Sequence, residues 1–321
     1  MTSVLKWIGI VVASVLVLSL ASGGIYQRAA TASAFRHYRP QGRMVDIGGR
    51  KLHILCEGRG PSVVLEAGFG GWSIDWSVVQ PKIATFARVC SYDRAGMGYS
   101  DRGPSSATSR AGIAKDLHTL LTRAGVPAPY VLVGHSLGGI YVREFAREYP
   151  HDVAGLVFVD STHENIAKSV SKKELDKQLS QLNQLKYARY LMPFGVQRLL
   201  GLSISNAPDL PHADRAQAKG IGYRSSSYFA LYESMRSLVD ENNAGTLKLE
   251  PIPHVPLVVI ATTQNLNDPE HGKVWNQLQH ELVALSPGAK YVVADCGHFV
   301  QVQKPEIVIN AVREVLSRVR A

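Results

Sequence analysis

The residue best suited to covalent chemistry in this chain is Ser136, the centre of a pentapeptide with glycine at both ends. Residues 134–138 read Gly-His-Ser-Leu-Gly. They follow a β-branched run, 130–133, and precede an amphipathic stretch, 140–149. A strand that turns sharply into a helix holds such a serine on a strained corner with its hydroxyl exposed, and the glycines leave room for close packing. The pattern therefore predicts a nucleophilic serine. The alternative is a tight glycine turn with an incidental serine.

A serine hydroxyl is a weak nucleophile and needs a neighbouring base to take its proton. Among the eleven histidines, His298 is distinguished by its position. It comes just after a short apolar run, 290–294, and just before the final amphipathic stretch, 305–319. If 290–294 is the last strand, His298 emerges at the same sheet edge as Ser136. We therefore predict that His298 is the general base.

The elements that must position these residues alternate between strand and helix along most of the chain. The strand candidates are 63–66, 88–92, 130–133, 155–159, 255–261 and 290–294, and the clearest amphipathic helices are 109–124, 140–149 and 305–319. Such alternation predicts an α/β domain with a mostly parallel sheet and helices on both faces. It stops between about 162 and 253, where the helical pattern predicts an insertion between two strands.

Three motifs, in their order and spacing, resemble the α/β-hydrolase superfamily over residues 43–319. They are 93–100 (Asp-Arg-Ala-Gly-Met-Gly-Tyr-Ser), 134–139 (Gly-His-Ser-Leu-Gly-Gly) and the Gly-His pair that ends at His298. The resemblance implies an eight-stranded sheet in the order 1-2-4-3-5-6-7-8 and makes the helical insertion a cap over the site. The glycines and the Asp-Arg pair of loop 93–100 are expected to shape and hold that loop, without a direct chemical role.

The acid of the triad departs from the commonest family pattern. Most relatives carry it in the turn after strand seven, but here that turn, 261–268, offers no carboxylate before Asp268. Asp160 instead closes the apolar run 157–159, and neighbouring parallel strands lie only about 4.8 Å apart with their carboxyl ends at one edge. We predict Asp160 as the acid, as in some haloalkane-dehalogenase-like relatives, with Asp268 as the alternative. A turn-capping role is the structural alternative for Asp160.

Two backbone amides are expected to form an oxyanion hole. One belongs to Leu137, directly after the nucleophile, and by resemblance the other belongs to Phe69 in the turn 66–71. Relatives usually have His-Gly where this chain has Ala-Gly at 67–68, so a supporting side chain is missing while the backbone donor remains.

The N-terminal residues are predicted to form a membrane anchor. Residues 7–27 carry no charge, and as a helix their 21 positions would span roughly 30 Å, the thickness of the hydrocarbon layer. A signal peptide cleaved at 21–23 or 32–34 is the alternative. The predicted organisation is an anchor or signal segment at 1–27, a linker at 28–42, and a hydrolase domain at 43–321 with the cap at about 162–253.

The composition of the chain limits the classes of binding partner that we expect. The chain is 45% hydrophobic and 19% charged, as in ordinary globular proteins, and its net charge of +9 suits an acidic partner. The basic residues are scattered and form no nucleic-acid motif, so we predict a membrane partner and no nucleic acid. No spacing of metal ligands is evident, and no cofactor or metal is predicted.

The three cysteines provide evidence on which side of the membrane the catalytic domain lies. The family strand order makes Cys56 and Cys90 neighbours, so they are either a disulfide or two small buried side chains, and Cys296 stands alone. A disulfide would indicate an extracytoplasmic domain. The arginines that follow the span favour the cytoplasm instead: Arg28, Arg36, Arg39 and Arg43. The prediction is a single-pass membrane protein, with slightly more weight on the extracytoplasmic side.

These residues together predict a serine hydrolase that cleaves an ester-type bond through an acyl-enzyme. Tyrosines, leucines and phenylalanines in the cap favour a small, apolar ester substrate. An amidase, thioesterase or carbon–carbon hydrolase would use the same residues. The alternative from another class is a non-catalytic, membrane-tethered binding protein with the hydrolase fold.

Overall fold

One sheet of eight strands organises the part of the chain that the computed structural model describes, residues 2–166, 172–204, 209–263 and 271–319. The strands are β1 Arg43–Asp46, β2 Lys51–Glu57, β3 Ser62–Glu66, β4 Arg88–Tyr92, β5 Tyr130–His135, β6 Val153–Val159, β7 Leu257–Thr262 and β8 Lys290–Ala294. Their order across the sheet is β1-β2-β4-β3-β5-β6-β7-β8. The β1/β2 and β2/β4 pairs are antiparallel and the other pairs are parallel. The predicted fold class and strand order are confirmed.

Helices cover both faces of the sheet. The α-helices are α1 Thr2–His37, α2 Gln80–Ile83, α3 Arg110–Arg123, α4 Gly138–Glu148, α5 Lys172–Ala188, α6 Val196–Leu199, α7 His212–Gly222, α8 Ser225–Asn243, α9 His271–Val283, α10 Val300–Gln303 and α11 Pro305–Val319. Helices α3 and α4 pack on one face, and α2 and α11 pack on the other. The core therefore has two layers, one on each side of the sheet.

Strand residues alternate between these two layers. In β5, Leu132 belongs to the layer beneath α3 and α4, while Val131 and Val133 belong to the layer beneath α11. Because both faces of the sheet are covered, successive side chains are all buried although they point in opposite directions. This explains why the central strands read as continuous apolar runs in the sequence.

The described residues between β6 and β7 form the helical cap, α5 to α8. An apolar cluster joins it to loops of the sheet domain. Met192, Ile221 and Tyr228 of the cap pack in one cluster with Trp72 and Tyr99. The cap is therefore held on the edge of the sheet at which the strands β3 to β8 end.

Helix α1 corrects one prediction. The linker expected at 28–42 is wrong for 28–37, because the helix that begins in the apolar stretch continues without interruption to His37. The first proline of the chain is Pro40, and the polar half of the helix packs on the protein: Gln27 is buried, and the Phe35 and Tyr99 rings lie 5.3 Å apart. Tertiary contacts therefore extend the helix beyond the point where the apolar pattern ends.

The N-terminal part of α1 carries no such contacts. Residues 3–37 form a helix long and apolar enough to cross a membrane, and its most apolar window has no buried residue. A signal sequence has the same properties. The helix is thus either a membrane span or a signal segment.

Cys56 and Cys90 form a disulfide, which decides between the two alternatives left open by the sequence. They are directly opposite each other in the β2/β4 ladder, with their Cα atoms 4.1 Å apart. Cys296 is a free, half-buried thiol.

Candidate active site

Ser136 occupies the turn between β5 and α4 in a left-handed backbone conformation, with φ of 52°. Few residues other than glycine adopt this region, so the turn holds Ser136 under strain. The glycines two positions to each side of Ser136 are required for steric reasons. A Cβ on Gly134 would lie 2.8 Å from the Gly138 backbone, and a Cβ on Gly138 would lie 2.5 Å from the Glu66 carbonyl oxygen. Close packing of strand, turn and helix thus accounts for the motif.

Asp160 and His298 are in direct contact at the same sheet edge. The His298 Nδ1 and Asp160 Oδ2 atoms are 2.6 Å apart, and Asp160 is completely buried whereas the imidazole is partly exposed. Asp160 follows β6 with φ of 42°, another left-handed position for a non-glycine residue. A buried carboxylate on Nδ1 fixes the orientation and the tautomer of an imidazole.

Further donors hold the Asp160 carboxylate in place. The Thr262 amide and hydroxyl each donate over 3.3 Å, and the Trp275 Nε1–H donates over 3.2 Å. These partners and His298 compensate the buried charge, which suits a carboxylate that must orient a neighbouring ring. The alternative acid, Asp268, lies outside the described residues.

The turn after β3 lies against the serine. A Cβ on Gly68 would lie 3.0 Å from the Ser136 Cβ atom, so a larger residue at position 68 would press on the serine. The Phe69 and Leu137 side chains pack in one apolar cluster. Within the described part of the chain, neither the Phe69 amide nor the Leu137 amide donates to an acceptor. Both amides are therefore available to an external oxygen atom beside Ser136.

Comparison with known proteins agrees with this geometry. A family model for the alpha/beta hydrolase fold matches residues 61–220, which include the β3 turn and the serine motif. The chain belongs to the α/β-hydrolase superfamily. A protein of Gibberella zeae named as an AB hydrolase superfamily protein is 27% identical over 283 residues, covering 81% of this chain and 87% of that protein.

Solved structures show the same fold. The epoxide hydrolase CorEH has a TM-score of 0.65 and 18% identity, and the match covers 86% of this chain and 98% of that one. A thermophilic esterase from Thermogutta terrifontis has a TM-score of 0.61 and 22% identity, covering 88% and 100%. One of these structures is an epoxide hydrolase and the other is an esterase, so the similarity establishes the fold of this chain and does not identify its reaction.

In this α/β-hydrolase, His135 positions the loop that carries the candidate base. The His135 Nε2–H donates to the His298 carbonyl oxygen over 2.9 Å, and the two rings lie 4.6 Å apart. Burial, followed by the nearby His298, lowers the pKa of His135 well below its usual range. His135 is therefore neutral, with its proton on Nε2. Sequence analysis missed this residue, whose only signal is its place directly before Ser136.

Arg94 holds the candidate oxyanion loop of the hydrolase from beneath. Its guanidinium donates over 2.6 Å to each of the carbonyl oxygens of Ala67 and Gly68, and over 3.3 Å to that of Gly71. It also forms an ion pair with Glu66. In a trans peptide unit the carbonyl and the following amide point in opposite directions, so the bond to the Gly68 carbonyl turns the Phe69 amide away from Arg94. The sequence predicted that the Asp-Arg pair holds loop 93–100, but Arg94 holds the loop after β3 instead.

Asp93 holds loop 93–100, which is the role that the sequence predicted for the Asp-Arg pair. It accepts hydrogen bonds from the Ser73 amide over 2.9 Å and from the Tyr99 amide over 2.8 Å, and its carboxylate lies 3.0 Å from His53 Nδ1. Although burial alone would raise the pKa of Asp93, His53 and the amide donors lower it. Asp93 is thus an ionised structural anchor.

The charges beneath the oxyanion loop are buried and coupled. Burial would lower the pKa of Arg94, but the Glu66 carboxylate beside it raises that pKa above its ordinary value. Burial raises the pKa of Glu66, and Arg94 opposes the shift. Burial also raises the pKa of the nearby Asp75 to about 7. The Arg94 guanidinium therefore stays charged at every physiological pH.

We expect Arg94→Met to lower kcat by about 10- to 100-fold on an ester substrate, with a smaller change in KM. Loss of one oxyanion donor costs about 100- to 1000-fold, and Arg94 acts on such a donor only through the loop. Arg110→Met is the matched control, because Arg110 is an equally buried arginine in an ion pair with Glu144 and Glu241. An unchanged kcat in folded Arg94→Met protein would show that the loop keeps its shape without Arg94.

A small cleft, about 20 Å³ in volume, opens beside the oxyanion loop, between the sheet domain and cap helix α8. Its apolar lining includes Phe69, Met97, Ile113, Ala230 and Leu231. Arg94, Thr108 and Ser234 supply the polar part of the wall. The cleft is therefore largely apolar and reaches the candidate oxyanion loop at Phe69 and Gly70.

Proposed function

We propose that this α/β-hydrolase is a serine hydrolase that cleaves ester-type bonds through an acyl-enzyme on Ser136. The observation that carries the proposal is the 2.6 Å contact between His298 Nδ1 and the buried Asp160 carboxylate, at the sheet edge where the Ser136 turn lies. An imidazole held in this way presents an unprotonated Nε2 as a base. The strained serine turn supplies the nucleophile.

The proposed reaction proceeds in two halves. His298 Nε2 takes the hydroxyl proton as the Ser136 oxygen attacks the ester carbonyl carbon, and the amides of Leu137 and Phe69 stabilise the resulting oxyanion. The carbon–oxygen bond to the alcohol then breaks, and the alcohol leaves with the proton from His298. Water repeats the sequence on the acyl-enzyme, and the acid is released. Asp160 stabilises the imidazolium in both halves.

The apolar cleft supports an ester with an apolar acyl or alcohol group. Among the described residues that line the cleft, Arg94 is the one cationic side chain. It is already bonded to the oxyanion loop and to Glu66, so the cleft offers no free cation to a charged substrate. The fold is shared with an esterase and with an epoxide hydrolase. Epoxide-hydrolase relatives attack with an aspartate where this chain has Ser136, so the serine favours acyl transfer.

We also propose that α1 is a single-pass anchor and that the catalytic domain lies outside the cytoplasm. The Cys56–Cys90 disulfide supports this side, because structural disulfides persist in oxidising compartments. The arginines that follow the span favour the opposite orientation. We give the disulfide more weight because it depends directly on the redox state of the compartment.

A fluorophosphonate probe tests the central proposal. It should label the native chain, fail to label heat-denatured chain, and fail to label Ser136→Ala. Ser77→Ala, a serine bonded to Asp214 at a distance from the β5 turn, is the control and should be labelled normally. If folded wild-type protein shows no labelling that depends on Ser136, the chain is a binding protein that retains the hydrolase fold. A panel of esters, thioesters and amides of graded chain length would then define the class of bond.

A further inference from the structure

A cluster of exposed apolar side chains on the cap has no role in the proposed reaction. It lies within residues 187–202, which we call the apolar segment, and its six side chains are between 48% and 78% exposed: Tyr187, Tyr190, Leu191, Leu199, Leu200 and Leu202. Elsewhere in the described globular part, exposed large apolar side chains are scattered singly. A concentrated apolar surface of this kind marks an interaction site.

The apolar segment is packed against α1 at the point where the apolar half of that helix ends. A Cβ on Gly23 would lie 2.5 Å from the Phe194 carbonyl oxygen, and a Cβ on Gly195 would lie 3.3 Å from the Tyr26 ring. Arg198 Nε donates to the Gln27 side-chain oxygen over 2.8 Å. A helix rises 1.5 Å per residue, so Gly23 lies only about 3 Å beyond the last apolar position of the span, Ala21.

This contact fixes the height of the segment relative to a membrane. If α1 crosses a bilayer, the apolar residues 7–21, which are exposed along their whole length, lie in the hydrocarbon layer. The next turns of the helix then lie in the headgroup region. Because the apolar segment is bonded to those turns, it lies at the same level, with its leucines and tyrosines exposed there. Tyrosine is enriched at this level in membrane proteins.

The charges around the segment suit an anionic lipid surface. Residues 187–202 contain no acidic side chain, and neither do residues 1–45. The basic residues that follow the span or lie in the segment are Arg28, Arg36, Arg39, Arg43 and Arg198, whereas Lys6 precedes the span and Arg189 is buried in an ion pair with Glu233. A soluble protein partner would explain an apolar patch, but it would not explain the position of that patch beside the end of a membrane-length helix.

We propose that the apolar segment of the cap inserts into the interfacial layer of the bilayer that α1 crosses. The inference rests on α1 remaining as an anchor, and it does not require the chain to be an esterase. It has a consequence for the site, because the segment is coupled to the cap helix that lines the cleft. The Tyr190 and Phe229 rings lie 5.6 Å apart, and Arg189 stacks on the Tyr232 ring at 3.6 Å. Both aromatic partners belong to α8, so lipid contact and the cleft wall share one helix.

A fluorescence experiment on the full chain tests the proposal. Leu200→Cys in a Cys296→Ala background provides one free thiol for an environment-sensitive fluorophore. The protein is reconstituted in vesicles of phosphatidylcholine and phosphatidylglycerol. The matched control is Val293→Cys, another exposed apolar side chain, on β8 at the sheet edge opposite β1. Ile10→Cys reports on α1 itself. Each labelled variant is exposed in turn to a nitroxide near the top of a lipid acyl chain and to aqueous iodide.

The expected result is strong nitroxide quenching and weak iodide quenching at position 200, and the reverse at position 293. If position 10 contacts lipid while position 200 is quenched by iodide as readily as position 293, the anchor exists and the inference is wrong. Protection of position 200 from both quenchers would mean that protein, such as a second copy of the chain, covers the segment, which also contradicts it. If position 10 shows no lipid contact, the anchor and the inference fail together, and the fluorophosphonate result is unaffected.

Discussion

Asp160→Asn should lower kcat about 10,000-fold while the chain remains folded. The carboxylate accepts a hydrogen bond from the His298 Nδ1–H and is itself held by Thr262 and Trp275. An asparagine of the same shape can present its NH₂ group to Nδ1, which moves the imidazole proton to Nε2 and removes the base. The measurement is kcat on an ester that the wild-type protein cleaves, together with thermal unfolding to verify the fold. The expected loss is in kcat, because the tautomer matters chiefly in the transition state.

Asp268→Asn is the matched control, since Asp268 is the other carboxylate that follows a neighbouring strand. It should keep activity close to that of the wild type. If Asp268→Asn loses activity and Asp160→Asn keeps it, Asp160 has only a structural role and the proposed triad is wrong. A comparable loss in both variants would show that the two carboxylates act together, which also contradicts the proposal.

Removal of the disulfide by Cys56→Ala with Cys90→Ala should lower the free energy of unfolding by about 3–4 kcal/mol. The bond closes a loop between residues 34 positions apart, and a loop of this size removes about that much conformational freedom from the unfolded chain. The measurement is denaturant unfolding of the full chain in detergent. Cys296→Ala, which removes a thiol without a bond, is the control and should change stability much less.

The same cysteines test the side of the membrane. In intact cells, alkylation without a reductant should modify Cys296 alone once the chain is denatured, and reduction should expose Cys56 and Cys90. Reaction of all three thiols without a reductant would mean a reducing compartment, and the proposed extracytoplasmic location would be wrong. Equal stability of the double variant and the wild type would show that the bond does not constrain the unfolded chain.

Much of the fold and part of the site could be predicted because strand ends are readable in a sequence. Short, continuous apolar runs that alternate with amphipathic stretches located the strands. Ser136 and Asp160 come just after two parallel strands, so both were expected at the same edge of the sheet. The structure brings Asp160 into contact with His298 as the sequence predicted. The Cys56–Cys90 pair was left open because the register of two strands depends on contacts distributed along both of them.

Contacts between loops were not predictable in the same way. Arg94 reaches the carbonyls of the β3 turn from a different loop, and His135 reaches the backbone of His298 across 163 positions. Such bonds depend on side-chain directions that neither periodicity nor a motif specifies. The length of α1 was misjudged for a related reason. The loss of apolar character at Arg28 was taken as the end of the element, although packing against the cap keeps the following turns helical.

The unbroken course of α1 has a consequence for how the enzyme would meet its substrate. A hydrolase on a loose tether can rotate freely above a membrane, but here the helix that would cross the bilayer is bonded to the cap through Gln27, without a joint between them. The domain would then keep a constant angle to the membrane plane. Its cleft would reach new lipid only when the whole molecule diffuses laterally. The enzyme would therefore meet an ester dissolved in the membrane by diffusion in two dimensions, with its cleft always at the same angle to the bilayer.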